Sequence, residues 1–183
     1  MDTLYFSIGT DVDVPAIVEI NNSHFDYENP NGFLVIHFDE EYVKELIESG
    51  DVQFFLVKDV NDYVLGYVEV RNSLNNDLLN DMNWINDDLK ELTISILSGH
   101  YIYVKQLAVR RGYQRMGVAS YAYQKMEQTV GCPVVVFTAN KPRRNIPSIQ
   151  FHENKGYTRV SSLHRMNFGE FSEYEAFFYV KKP

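Results

Sequence analysis

Between Lys105 and Arg144 eight basic residues stand against a single acid, Glu127, in a chain whose formal charge is −8. Inside that island, Val109-Arg-Arg-Gly-Tyr-Gln-Arg-Met-Gly-Val-Ala119 closes a β-rich run, turns at glycine and opens a helix. The apolar residues that follow, Val118, Tyr121, Ala122, Met126 and Val130, recur at helical spacing, so Gly117 falls where backbone N–H groups have no intrahelical partner. Such a terminus attracts anions through its unpaired donors and its dipole, and a pyrophosphate is the ligand this geometry fits. Arg110, Arg111, Arg143 and Arg144 are candidates for further phosphate charges. The alternative for the same basic run is a solvated helix face.

Elements of α/β type must hold that junction. Leu4 to Ile8 reads as a first strand, and Asp13 caps a helix with Ile17, Ile20 and Phe25 among its apolar positions. Asp39 caps a second helix that Gly50 stops. Val52 to Val57 and Tyr63 to Val70 form a hairpin around Asp59-Val-Asn-Asp62. From Asn72 to Gly99 the chain is rich in asparagine and aspartate, with a helical pattern predicted through Leu78, Met82, Ile85 and Leu89. Tyr101 to Val109 is the central strand, Val134 to Thr138 a buried one, Ser148 to Asn154 a short helix, and two aromatic-rich strands, Tyr157 to Met166 and Tyr174 to Val180, complete the sheet. The expected fold is α/β: a central mixed, mostly antiparallel twisted sheet of about six to seven strands with helices on both faces.

Gln114-Arg-Met-Gly117-Val-Ala119 resembles the Gln/Arg-x-x-Gly-x-Gly/Ala signature of the GNAT superfamily of N-acetyltransferases. A second block, Asn145-Ile-Pro-Ser148-Ile-Gln-Phe151-His152-Glu-Asn-Lys-Gly156-Tyr157, is similar to the superfamily's Asn-x-x-Ala/Ser helix and the Gly-Phe/Tyr start of the next strand. The two motifs stand in the family's order and at about its spacing. The resemblance implies a single acetyl-CoA-dependent N-acetyltransferase domain over residues 1–183, with 72–99 as an insertion into what is often a tight hairpin.

It also implies a division of roles. The main chain at Leu107 and Val109 would bond the pantetheine amides, and Gln114, Arg115, Met116, Gly117, Val118 and Ala119 would cradle the pyrophosphate. Asn145 and Ser148 belong to the second cofactor-binding motif. Relatives often carry a tyrosine where His152 stands, as donor to the leaving thiolate. An unperturbed histidine titrates near neutrality, so His152 is the catalytic candidate there, or a helix-face residue with no role. Glu69, in the middle of a strand that faces the reaction centre in related folds, is a candidate base acting through water, or an ordinary strand carboxylate. The first two helices and their loop shape the acceptor site in the family, which points to Tyr27, Glu28 and Phe33.

Charge adds a reading of the acceptor. Residues 1–104 carry net −16, residues 105–144 net +7 and the remainder +1. An acidic first half attracts a cationic amine, or serves solubility. The expected function is transfer of acetyl from acetyl-CoA to a primary amine of a small molecule or peptide, by direct attack in a ternary complex; a noncatalytic acyl-CoA sensing module is the alternative. No metal is expected, since the one cysteine, Cys132, cannot build a thiolate zinc site. The acidic balance speaks against nucleic acid, and no apolar run reaches the length of about 20 residues that spans a bilayer. Met1-Asp-Thr-Leu lacks the basic start of a secretory signal, so a cytoplasmic location is expected. The insertion or a sheet edge could build a homodimer.

Overall fold

The structure is a computed structural model that describes residues 3–183, apart from the side chain of Asn76. Along the chain run β1 (Tyr5–Ile8), α1 (Val14–Asn22), α2 (Glu40–Ser49), β2 (Val52–Lys58), β3 (Val64–Arg71), β4 (Met82–Trp84), α3 (Asp87–Leu97), β5 (Ile102–Val109), α4 (Val118–Val130), β6 (Val134–Lys141), α5 (Ile146–Asn154), β7 (Thr158–Phe168) and β8 (Phe171–Lys181). The fold is α/β, with eight strands and five α-helices among the described residues. Two compact units divide the chain: Met1–Arg71 with Val104–Gly131, and Asn72–Tyr103 with Cys132–Pro183.

In the first unit the strands follow the order β1, β2, β3, β5. β1 pairs antiparallel with β2, and β2 with β3, in a register that sets Phe54 opposite Glu69 and Leu56 opposite Tyr67. The hairpin between β2 and β3 closes because Asp59 accepts from the backbone N–H of both Asn61 and Tyr63, at 2.8 and 3.0 Å. α2 begins where Asp39 accepts from Tyr42 N–H at 2.8 Å and ends at Gly50, whose φ of 74° is left-handed. Val14, Ile17, Ile20, Phe38, Phe54 and Tyr67 make its core.

In the second unit the order is β6, β8, β7, β4. The two long strands β7 and β8 pair antiparallel over most of their length, and β8 pairs antiparallel with β6. Phe178, Val180, Val135, Val160 and Leu163 fill this core. The eighth strand, one more than the sequence led us to expect, is β4. It lies within residues 72–99, where the sequence pattern predicts a central helix through Met82 and Ile85. Instead Met82–Trp84 pairs with Ser161–Leu163 of β7, and the helix starts only at Asp87, capped by Asn86. Pairing with an available strand and burial of Met82 outweigh the local helical spacing, which four apolar residues cannot enforce.

Candidate active site

The junction after β5 is built in the first unit. Arg110 ends the strand and is tied down on every side: its Nε donates to the Val64 carbonyl at 2.8 Å, its Nη1 meets Glu19 at 2.5 Å, and its guanidinium lies over the Tyr63 ring at 4.3 Å. It is buried, so the arginine proposed from sequence as a phosphate ligand is the anchor of the loop instead. The chain then passes through three left-handed residues, Gly112 at φ 91°, Arg115 at 64° and Gly117 at 83°. Gly117 is the N-cap of α4 and supplies no side-chain cap, so the first N–H groups of this thirteen-residue helix have no intrahelical acceptor.

A Cβ at Gly117 would meet nothing within 4 Å, so glycine is required there by its backbone conformation and not by crowding. Open space in front of uncapped helix donors fits a pyrophosphate. Arg115, Met116 and Gly117 are exposed, Gln114 and Ala119 are partly so, and Val118 is buried as the first core residue of α4. The helix is pressed against the sheet at Gly66, where a Cβ would come within 2.8 Å of the Ala108 carbonyl and 3.2 Å of Val118. A separate cleft of about 400 Å³, lined by Tyr63, Arg110, Arg111 and Tyr113 among others, does not include the Gly117 end of the loop.

Along β5, Lys105, Leu107 and Val109 are partly exposed while Val104, Gln106 and Ala108 are buried. That alternation gives one accessible side to the strand. The Val109 carbonyl is held by His24 Nε2 at 2.9 Å. A carbonyl can only accept, so this nitrogen carries the proton. Burial lowers the His24 pKa, opposed by the bond to Val109, and the ring is neutral at pH 7.

The loop between α1 and α2 is knitted to the strands by a buried amide and phenol network. Asn21 Nδ2 donates to Gln106 Oε1 at 2.9 Å, to Tyr67 Oη at 3.0 Å and to the Ile36 carbonyl at 3.2 Å, while its Oδ1 accepts from Phe38 N–H at 3.0 Å. Tyr67 in turn donates to Gln106 at 2.9 Å. On that loop Phe33 is buried and meets Tyr27 edge to face at 5.2 Å, and Glu28 is exposed. Arg115 Nε reaches Asn31 Oδ1 at 3.4 Å, which joins the loop to the glycine turn.

Glu69 is completely buried. Its Oε1 accepts from Arg71 Nε at 2.9 Å and Nη2 at 2.7 Å, and its Oε2 has no hydrogen-bond partner among the described residues. Burial raises its pKa, and the charges of Arg71 and Lys105 oppose that rise.

In the second unit Asn145 caps α5, accepting from Ser148 N–H at 3.3 Å, and is itself buried. His152 is 2% exposed. Its Nδ1 lies 2.7 Å from the Ser148 carbonyl, which fixes the proton on Nδ1 and leaves Nε2 as the basic nitrogen. Its ring stands edge-on to Tyr157 at 5.3 Å and stacks on Tyr179 at 6.2 Å. The described residues contain no group of three or more His, Cys, Asp or Glu side chains able to hold a metal, and no helix long and apolar enough to cross a membrane.

Sequence reasoning missed Asn21, His24, Tyr67, Gln106 and Arg71. Only Arg71 left a signal, since it lies two residues from Glu69 on the same face of β3. The others find each other across separations of 39 to 85 residues, which no local pattern encodes.

An uncapped helix start behind a glycine turn, at the end of a strand with one accessible side, defines an α/β protein built to hold a phosphorylated cofactor. Residues 15–157 match the acetyltransferase (GNAT) family, and the chain belongs to it. It is thereby an acyltransferase, of a family whose acyl donor is acetyl-CoA. No curated protein matches the chain. Among solved structures it is similar in fold to NAA60 of Arabidopsis thaliana in complex with acetyl-CoA, at 15% identity over 98% of each chain with a TM-score of 0.71. The same protein with a bisubstrate analogue gives a TM-score of 0.70 at 14% identity, again over 98% of each chain. The ribosomal-protein-S18-alanine N-acetyltransferase of Escherichia coli gives 0.66 at 12% identity, over 98% of this chain and 94% of that one.

Proposed function

We propose that this chain transfers the acetyl group of acetyl-CoA to a primary amine of a small molecule or peptide, by direct attack in a ternary complex. The observation that carries the reading is the open, left-handed Gly117 in front of the uncapped α4 terminus. The backbone amides from Arg115 to Ala119, with Gln114 beside them, bind the pyrophosphate through that opening. The main chain at Leu107 and Val109 orients the pantetheine arm, and the His24 bond keeps the end of β5 in place for it. Asn145 and Ser148 supply the second motif's contacts. Tyr27, Glu28 and Phe33 line the acceptor side, on a loop held by Asn21.

Proton balance sets the remaining roles. The amine arrives as an ammonium ion and must lose a proton before its lone pair attacks the thioester carbon. Glu69, with a raised pKa and one unbonded oxygen, accepts that proton through water. The leaving thiolate takes a proton, for which His152 is the donor in its doubly protonated form, giving up the proton on Nε2 while Nδ1–H stays on the Ser148 carbonyl. The full burial of Glu69 and the near-complete burial of His152 favour one other reading, a module that binds the acyl-CoA without transfer.

Continuous measurement of coenzyme A release against a panel of amines separates the two. Amine-dependent release is expected; acetyl-CoA binding without it selects the sensing module. Gly117→Glu puts a side chain and a negative charge at a left-handed position in the anion site, at a backbone cost of about 1–2 kcal/mol. Calorimetry should show acetyl-CoA affinity down by more than about tenfold, a loss of at least 1.4 kcal/mol. Unchanged affinity overturns the assignment of this turn. His152→Ala should lower turnover more than acetyl-CoA affinity, and equal rates from pH 6 to 9 would leave His152 a packing residue.

A further inference from the structure

Between α1 and α2 the chain makes a loop with its own internal frame. Asn29 N–H donates to the Asp26 carbonyl at 3.0 Å and Gly32 N–H to the Asn29 carbonyl at 3.1 Å, two turns in succession. Side chains brace them, with Asp26 Oδ1 accepting from Glu28 N–H at 3.1 Å and Asn29 Oδ1 from Asn31 N–H at 2.9 Å. The neck closes where Leu34 N–H donates to the His24 carbonyl at 2.9 Å. Residues 25–33 are thus a compact loop with its ends together, and such a loop shifts as one piece. Its attachments decide where that piece lies.

His24 stands at the neck and bonds in three directions. Its N–H donates to the Asn21 carbonyl at 3.0 Å, its carbonyl closes the neck, and its ring Nε2 donates to the Val109 carbonyl at 2.9 Å, across 85 residues of sequence. The residue is 5% exposed, so the ring's bond is shielded from water and strengthened by the low local dielectric. An exposed and longer bond joins the tip of the loop, from Arg115 Nε to Asn31 Oδ1 at 3.4 Å. Val109 ends β5 and Arg115 lies in the glycine turn, so both partners belong to the stretch proposed to hold acetyl-CoA. The loop that carries Tyr27, Glu28 and Phe33 is therefore bonded to the cofactor stretch at its neck and at its tip, and the neck bond is the buried one.

A neutral histidine suits that place. The donor must span from one element to the backbone of another without adding a second positive charge near Arg111. Burial first, and then the Arg111 charge, lower the His24 pKa, and the neutral ring still donates from Nε2.

We propose that His24 is a positioning residue for acetyl transfer, whose ring holds the 25–33 loop in register with β5 so that the acceptor amine meets the thioester. This rests on the acetyltransferase reading above and deepens it, by naming the bond that sets the acceptor side against the cofactor side. In this role the ring acts through the Val109 carbonyl and touches neither substrate. A misplacement of about 1 Å between reacting groups costs about 100-fold in rate, so a bond remote from the chemistry has a large effect on it.

The test uses two substitutions. His24→Leu keeps the bulk and removes the donor, while His24→Gln returns an N–H on a side chain of similar reach. In the coenzyme A release assay His24→Leu should raise the acceptor KM by at least about tenfold, as the loss of one buried hydrogen bond implies, with calorimetric acetyl-CoA affinity within about threefold of the wild type. His24→Gln should recover most of that loss. Amide hydrogen exchange supplies a readout that needs no turnover: over residues 25–34 it should quicken at least about tenfold in His24→Leu and slow again in His24→Gln, with α4 unchanged. Either an acceptor KM or a loop exchange unmoved by His24→Leu overturns the proposal. So does equal damage from the two substitutions, which makes His24 a packing residue, or a fall in acetyl-CoA affinity as large as the rise in KM, which makes the bond a support of β5 alone. An unaltered protein that transfers acetyl to no amine strikes the acetyltransferase reading itself; loop exchange, which needs no acceptor, then still reads whether His24 holds the loop, and an unmoved loop overturns that too.

Discussion

The two compact units bury different kinds of side chain. In the first, Asp13, Lys58, Glu69 and Arg110 are buried charges, and His24, Asn21 and Gln106 are buried polar groups beside them. In the second no Asp, Glu, Lys or Arg is buried among the described residues, and the interior polar groups are Thr93, Thr138, Asn145, His152 and Ser161. Burying a charge is costly unless it is paired, so a fold concentrates that cost where a site or its loops demand it. The first unit holds the glycine turn, the loop between α1 and α2, and the Glu69–Arg71 pair. The second is a ladder of aromatic and aliphatic strands that needs no charge inside.

Removing one partner of the central pair is the strongest way to break that contrast. Glu69→Leu keeps the volume and leaves Arg71 without its carboxylate, and should cost about 3 kcal/mol in denaturant unfolding. A neutral outcome would make the pair dispensable and the comparison of the units empty. A smaller loss is expected from Asn21→Ala, which leaves Phe38 N–H without its acceptor and takes one donor each from Gln106, Tyr67 and the Ile36 carbonyl. We expect about 2 kcal/mol of destabilisation and a KM for the acceptor raised several-fold, with acetyl-CoA affinity unaltered. If both substrates suffer equally, the network supports the unit at large and not the acceptor loop.

The smallest effect lies in pH. Burial by itself would raise the Asp13 pKa, but the Lys58 ammonium at 2.8 Å and the Thr10 N–H and hydroxyl together hold it below the ordinary 3.8. Lys58 is likewise pushed by burial toward neutrality and pulled above 10.5 by Asp13 and Asp62. A depressed carboxyl stabilises the fold above its unfolded pKa and loses that contribution as pH falls through the folded one. A raised ammonium stabilises below its unfolded pKa and loses it as pH rises through the folded value. The stability difference between the wild type and Asp13→Asn should therefore be flat from about pH 5 to 9 at about 1 kcal/mol and shrink below about pH 4. A difference that grows in acid would reverse the sign of the coupling.

Local chemistry in the sequence carried the elements with strong punctuation. Asp39 and Gly50 bracket α2 and Gly117 marks the turn into α4, because caps and left-handed glycines act over a few residues, whereas α5, expected from Ser148, begins at Ile146 behind the Asn145 cap. The helix expected through Met82 and Ile85 failed for the opposite reason: β4 exists only because β7 offers a partner to it. Arg110 shows the same limit within the site. Its position in a basic run marks it as a phosphate ligand, yet Glu19, Val64 and Tyr63 claim it, none of them near it in sequence.

What the sequence determined by itself is the family and the glycine turn into α4, since both rest on residue types at fixed short spacings. Tertiary structure alone decided which charges are inside and who their partners are. It brought Asn21 to Gln106 and His24 to Val109, for contact across long loops is set by packing of whole elements and desolvation is a property of the finished core.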